Sequence, residues 1–141
     1  MIKKGSAAWK GSLKEGTGTI STETGVLKNA PYGFKARFED GPGTNPEELI
    51  AAAHSACFSM ALSAGLGKAG FTADSIETSA AVHLEKVGEG FAITKSDLVC
   101  VAKVPNIDEK TFMEIAEQTK SGCPVSKVLN ATISLSIKLA R

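Results

Sequence analysis

The sequence predicts an α+β fold on three observations. Short β patterns fill the N-terminal part, one long uncharged helical run follows Asn45, and further β patterns return after it, interrupted only by short amphipathic helices. Elements grouped this way differ from the strict strand–helix alternation of an α/β sheet. The chain has 141 residues, 43% of them apolar, which suits one domain with a real core.

The elements follow in chain order. Ala7, Trp9 and Leu13 alternate with Lys10, Ser12 and Lys14, the pattern of a half-buried strand. Thr19 to Thr22 reads as a second short strand. Asn29-Ala30-Pro31 is a turn signal, and Tyr32, Phe34, Ala36 and Phe38 then share one face of a strand with Lys35 and Arg37 on the other. Residues 40–44 (D-G-P-G-T) form a loop. Asn45 is a good N-cap, Pro46 fits the first helical position, and Glu48 completes a capping-box pattern. From Leu49 to Leu66 no residue carries a formal charge, His54 aside, until Gly65, Gly67 and Gly70 break the pattern. The run is long enough to raise the transmembrane question, but its Ala, Ser and Gly content and the soluble character of the rest argue against a membrane span. A helix apolar all round must be wrapped on every side. One modest sheet covers one side, so a second copy of the chain is expected on the other.

The second half is β again. Ala80, Val82 and Leu84 alternate with polar residues, Gly88-Glu89-Gly90 reads as a hairpin turn, and the next strand changes phase near residues 95–97, which suggests a bulge. Asp108 caps a short helix with Phe112, Ile115, Ala116 and Thr119 on one side, and Gly122 stops it. Cys123 and Pro124 open another. Residues 131–139 alternate cleanly as a last strand.

Composition excludes several classes. Lys+Arg 16 against Asp+Glu 15 gives no electrostatic case for nucleic acid or a membrane surface. Residues 1–6 carry no apolar run, so no signal peptide is expected, and the cytoplasm, with its reduced thiols, is the expected compartment. No metal-type cluster, phosphate loop or dinucleotide fingerprint appears, so no cofactor is expected. Three cysteines remain as the candidate chemistry. Cys123 precedes Pro124 and so sits at an N-cap, where free N–H groups and the helix dipole favour a thiolate, with Lys120 and Lys127 near in sequence. Its competing reading is a small residue in a turn. Cys57 lies mid-way along the apolar helix, where a free cysteine ordinarily packs as a small hydrophobe and where burial raises its pKa. It becomes reactive only if a cation is brought to it. His54 shares its helix face, three residues away, which makes a Cys–His pair conceivable beside the simpler reading of a hydrogen-bonded core histidine. Glu47 and Glu48 suit the first turn of the helix. Glu47 stands about 15 Å of helical rise from Cys57, too far to touch it but able to orient an arginine, for which Arg37 is the candidate. Cys100, on an apolar strand face, reads as structural.

Together these residues resemble the OsmC/Ohr family of osmotically inducible and organic-hydroperoxide-resistance proteins. The resemblance runs over nearly the whole chain: K-G-S-A-A-W near the start, G-T-G-T-I-S-T-E-T-G-V-L from Gly16, P-Y-G-F-K-A-R-F-E from Pro31, G-T-N-P-E-E-L-I-A-A-A-H-S-A-C-F-S-M-A-L-S from Gly43, and G-C-P-V-S from Gly122. The H-S-A-C and R-F-E contexts follow the OsmC branch. The resemblance implies an OsmC-like fold over residues 1–141, with an antiparallel sheet packed on the long central helix, in an intertwined homodimer with two active sites at the interface. It implies that Cys57 is the peroxidatic thiolate, Cys123 the resolving thiol, Arg37 the cation that stabilises the thiolate and Glu47 the carboxylate that holds it. The implied substrate is an organic hydroperoxide, and the implied reductant an external dithiol of lipoyl type. Phe58, Met60 and Phe112 are candidates to line an apolar substrate pocket. The rival readings are a Cys–His hydrolase or acyltransferase using Cys57 and His54, and a non-enzymatic stress-related binding dimer with inert cysteines.

Overall fold

In the computed structural model, which describes residues 1–141, the chain forms two compact units, Met1–Leu49 and Ile50–Arg141. The first holds an antiparallel three-stranded sheet in the order β1 (Gly5–Lys10), β2 (Thr17–Thr22), β3 (Ala30–Tyr32). Every residue of β1 is exposed, contrary to the half-buried strand expected there, and Leu13 lies in the following turn. Alternation marks which side chains share a face, but burial needs a second layer, and this unit has little apolar mass to supply one. Gly18 in β2 has a specific reason: a Cβ there would come within 2.4 Å of the Tyr32 ring and 2.6 Å of the Trp9 ring. Those rings pack across it with centroids 5.4 Å apart. Asn29 turns the chain at φ 52°, and Ala30 and Pro31 already belong to β3.

The Tyr32–Phe38 segment departs from expectation. Phe34–Phe38 is a short helix, α1, not a strand. Its i, i+4 spacing stacks Phe34 on Phe38, with ring centroids 5.0 Å apart, so the aromatic stripe that mimicked alternation is satisfied by a helical turn. The long helix α2 (Pro46–Lys68) then opens as expected at Asn45, whose Oδ1 accepts the Glu48 N–H at 2.7 Å. The capping box does not close. The Glu48 carboxylate instead accepts from the Thr44 hydroxyl at 2.7 Å, and the Asn45 amide donates to the Ala36 carbonyl at 2.8 Å. Gly65 and Gly67 do not break α2. The helix ends when Gly70 adopts φ +90° and the Phe71 N–H returns to the Leu66 carbonyl at 2.9 Å. Gly65 serves packing, since a Cβ there would stand 3.0 Å from Ile115 Cγ2.

The second unit contains most of α2 and a sheet in the order β4 (Ser75–Val87), β5 (Gly90–Lys103), β6 (Thr132–Ala140). β4 and β5 form the expected antiparallel hairpin, and the phase change is a bulge: His83 faces Lys95 but Leu84 faces Ile93, leaving Thr94 as the extra residue. β6 runs parallel to β5, so the sheet is mixed rather than purely antiparallel. The crossover through α3 (Glu109–Gly122) and α4 (Pro124–Val128) makes the parallel return feasible. Asp108 caps α3, accepting the Thr111 N–H at 3.0 Å. The core is one cluster in which Phe58, Leu62 and Leu66 of α2 meet Leu98, Cys100 and Ala102 of β5, Phe112 and Ala116 of α3, and Leu139 of β6.

Candidate active site

The α2 stripe that enters this core starts one turn earlier with a histidine. His54, Phe58, Leu62 and Leu66 recur every four residues and are all fully buried. That phase leaves Cys57 beside the stripe, only partly covered. Cys123 is the N-cap of α4, as its place before Pro124 predicts. Its Sγ accepts the Ser126 N–H at 3.5 Å, and the side chain is completely buried. The two thiols are free, and the fold brings them near enough for each to shift the other's pKa.

Their surroundings set them apart. Burial pushes the Cys57 thiol up; the Val125 N–H opposes this, and the Cys123 sulfur reinforces it. Burial also acts on Cys123. There the Ser126 hydroxyl and N–H, the Cys57 thiol and the Val125 N–H together outweigh it, and the pKa is lowered. The expected fall at Cys57 is therefore not produced by the groups of its own unit, because the donors converge on the other sulfur.

His54 bonds through both ring nitrogens, Nδ1 to Ser96 Oγ at 2.6 Å and Nε2 to Ser126 Oγ at 2.7 Å. Burial lowers its pKa. With both nitrogens engaged, the imidazole is a hydrogen-bonded core group and makes no hydrogen bond to Cys57, which removes the geometry that the hydrolase reading needs. Cys100 is buried at 1% exposure, and burial raises its thiol pKa against a bond from Thr78. Ser96 and Ser126 are the residues that the sequence reading missed. Ser126 stands three residues after Cys123 in G-C-P-V-S, the position from which an N–H reaches a cap residue, and that was its only signal.

In the first unit Arg37 and Glu47 meet as a fork. Nε donates to Oε1 at 2.9 Å and Nη2 to Oε2 at 3.3 Å, with Glu47 only 7% exposed. The guanidinium also lies 5.3 Å from the Phe38 ring centroid. Beside it is an apolar hollow of about 230 Å³ lined by Trp9, Leu13, Tyr32, Phe34, Arg37 and Phe38. This corrects the expected pocket: Phe58 and Phe112 are core residues with no exposure, and Met60 is 77% exposed. The structure thus assembles Cys57 with Cys123 and Arg37 with Glu47, as two pairs in two units. No group of three His, Cys, Asp or Glu side chains converges to hold a metal ion.

A mixed three-stranded sheet packed on an apolar helix that carries a cysteine, with a second cysteine capping a later helix, defines a class, and the comparisons agree with it. The chain belongs to the OsmC-like protein family, whose model matches residues 39–138. It is 60% identical over 137 residues to Peroxiredoxin OsmC of Escherichia coli (strain K12), covering 97% of this chain and 96% of that protein. It is 28% identical over 123 residues to Organic hydroperoxide resistance protein OhrB of Bacillus subtilis (strain 168), covering 86% and 88%. The crystal structure of OhrB of Bacillus subtilis matches with a TM-score of 0.69 at 25% identity, over 96% of this chain and 98% of that one. An OsmC-like protein of Vibrio cholerae shares the fold, with a TM-score of 0.76 at 16% identity over 97% and 99%.

Proposed function

We propose that this chain is a thiol-dependent peroxidase that reduces organic hydroperoxides to alcohols, and hydrogen peroxide less well, with Cys57 attacking and Cys123 resolving. The observation that carries this reading is the nearness of two thiols that shift each other's pKa, in a chain 60% identical to a protein named a peroxiredoxin. Acidity alone would favour exchanged roles, since Cys123 is the more acidic thiol. Access decides: Cys57 is partly exposed and Cys123 is sealed, and a peroxide must reach the sulfur it oxidises.

Cys57 then needs a cation. The Arg37 fork on Glu47 offers a guanidinium already held in one orientation, which reaches Cys57 in a homodimer of single 1–141 domains. The dimer is supported by α2 itself. The helix is long and apolar enough to cross a membrane, yet only 22% of its most apolar window is buried in one chain. Met60 projects at 77% exposure. A second copy covers that surface, while the His54–Leu66 stripe in the core argues against a membrane role.

The cycle balances as follows. The Cys57 thiolate attacks the terminal peroxide oxygen and the O–O bond breaks. The alkoxide takes a proton and leaves as alcohol, and the sulfur becomes a sulfenic acid. The Cys123 thiolate attacks that sulfur and displaces hydroxide, which leaves as water, so a disulfide forms. An external dithiol of lipoyl type attacks the disulfide, and its second thiol releases both cysteines reduced. We place the reaction in the cytoplasm, where thiols stay reduced. The test is peroxide consumption by wild type and Cys57→Ser side by side, with mass spectrometry of the oxidised wild type. Retained turnover in Cys57→Ser, or no Cys57–Cys123 bond, ends the assignment. A covalent acyl-enzyme with activated esters and no peroxide consumption would instead favour the hydrolase reading.

A further inference from the structure

Two motif residues remain outside this cycle: the histidine of H-S-A-C and the serine of G-C-P-V-S. They are in contact. Ser126 Oγ lies 2.7 Å from His54 Nε2 and 3.5 Å from Cys123 Sγ, and Ser96 Oγ lies 2.6 Å from His54 Nδ1. All four side chains are buried. The four groups form a single line of hydrogen bonds ending on a sulfur.

From this geometry we infer that His54 and Ser126 are positioning residues for Cys123, forming a one-way donor relay that holds its sulfur as a thiolate. The inference rests on the reading of Cys123 as the resolving thiol. A thiolate only accepts, so the Ser126 hydroxyl must donate to it. That hydroxyl then accepts from His54, which fixes the proton on Nε2. Nδ1 is left as an acceptor and takes the Ser96 hydroxyl proton. Every proton in the line points toward Cys123. The imidazole carries one proton and no charge, in keeping with its burial. The groups acting on the sulfur are Ser126, the Cys57 thiol on α2 and the Val125 N–H, with no cation among them. The relay supplies hydrogen bonds where a charge is absent. Once Cys57 ionises to attack the peroxide its thiol donor is gone, and the Ser126 hydroxyl is the side-chain donor in the relay that keeps Cys123 ionised for the condensation.

Two readouts test the relay without measuring turnover. In reduced protein at about pH 9, above the ordinary thiol pKa of about 8.5, a long-range 1H–15N spectrum should place the His54 proton on Nε2. A proton on Nδ1 overturns the relay. In protein labelled with 13Cβ-cysteine, Ser126→Ala should raise the Cys123 pKa by about one unit, the size of one charge-assisted hydrogen bond. Ser126→Thr should restore it. His54→Phe should act like Ser126→Ala, whereas His54→Gln, which keeps a donor for Ser126, should retain most of the effect. Thermal melting of each variant identifies any that fail to fold, and Ser126→Ala, the smallest change, decides alone if the histidine variants do. An unchanged Cys123 pKa in Ser126→Ala sinks the proposal. If the pKa moves but oxidised wild type lacks the Cys57–Cys123 bond, the relay stands and the resolving role falls.

Discussion

The two units of this chain solve the same problem with unequal means. In Ile50–Arg141, a three-stranded sheet meets α2 and α3 and builds a core of fully buried side chains. In Met1–Leu49, a sheet of the same strand number leaves β1 wholly exposed, and Ala36 is the one buried apolar side chain. What the first unit does hold firmly is polar: the Arg37–Glu47 fork and the capping contacts of Asn45. The lesson is that stability and charge reside in different places. The second unit supplies the frame and both sulfurs, while the first supplies a fixed guanidinium and an aromatic hollow.

The sharpest way to break this contrast is to empty the frame. Phe58→Ala removes a side chain with no exposure and should cost about 3–5 kcal/mol, read by denaturant unfolding. A loss below about 1 kcal/mol would mean that the core is not where the stability lies. Arg37→Met should slow single-turnover oxidation of Cys57 about tenfold or more, through loss of the guanidinium proposed to stand beside the thiolate, with a smaller loss of stability from the unpaired Glu47 carboxylate. A fall in stability with no change in the oxidation rate would make the fork structural. Gly18→Ala tests the first unit on its own terms. The added Cβ must displace the Trp9 or Tyr32 ring, at about 1–3 kcal/mol, and hydrogen exchange should loosen in β1–β3 before it does in β4–β6.

The smallest effect is on pH. His54 has its folded pKa lowered from the ordinary 6.5 by burial, so the unfolded chain binds the extra proton first on acidification. Its contribution is fully present above about pH 6.5 and shrinks as pH falls toward the folded value. Stability should therefore decline on going from pH 7 to pH 5, and His54→Gln should flatten that slope. An identical slope in the variant would remove His54 as its source.

Much of this was legible beforehand where one local rule decided the outcome. The Asn45 cap, the Asp108 cap, the Cys123–Pro124 helix start and the β5 bulge follow from side chains reaching their own backbone or from a change of phase. The errors arose where two rules share a pattern. Phe34 and Phe38 satisfy both period two and an i, i+4 pair, and only the fold chooses the helix. Gly65 looks like a breaker until Ile115 is seen against it. At the site, the pairing of Arg37 with Glu47 could be anticipated from chemistry and resemblance. The partners of His54 could not, because Ser96 and Ser126 lie 42 and 72 residues away in sequence.

The cap on α4 has one more implication. The same sulfur that anchors the first turn of this five-residue helix is the one that the proposed disulfide would consume, and a disulfide sulfur is a far weaker acceptor than a thiolate. On the proposed cycle, oxidation should therefore unfasten the start of α4 while it stitches Cys123 to α2. The oxidised protein should then be looser in backbone at Pro124–Val128 than the reduced one, and a reductant would meet the looser of the two.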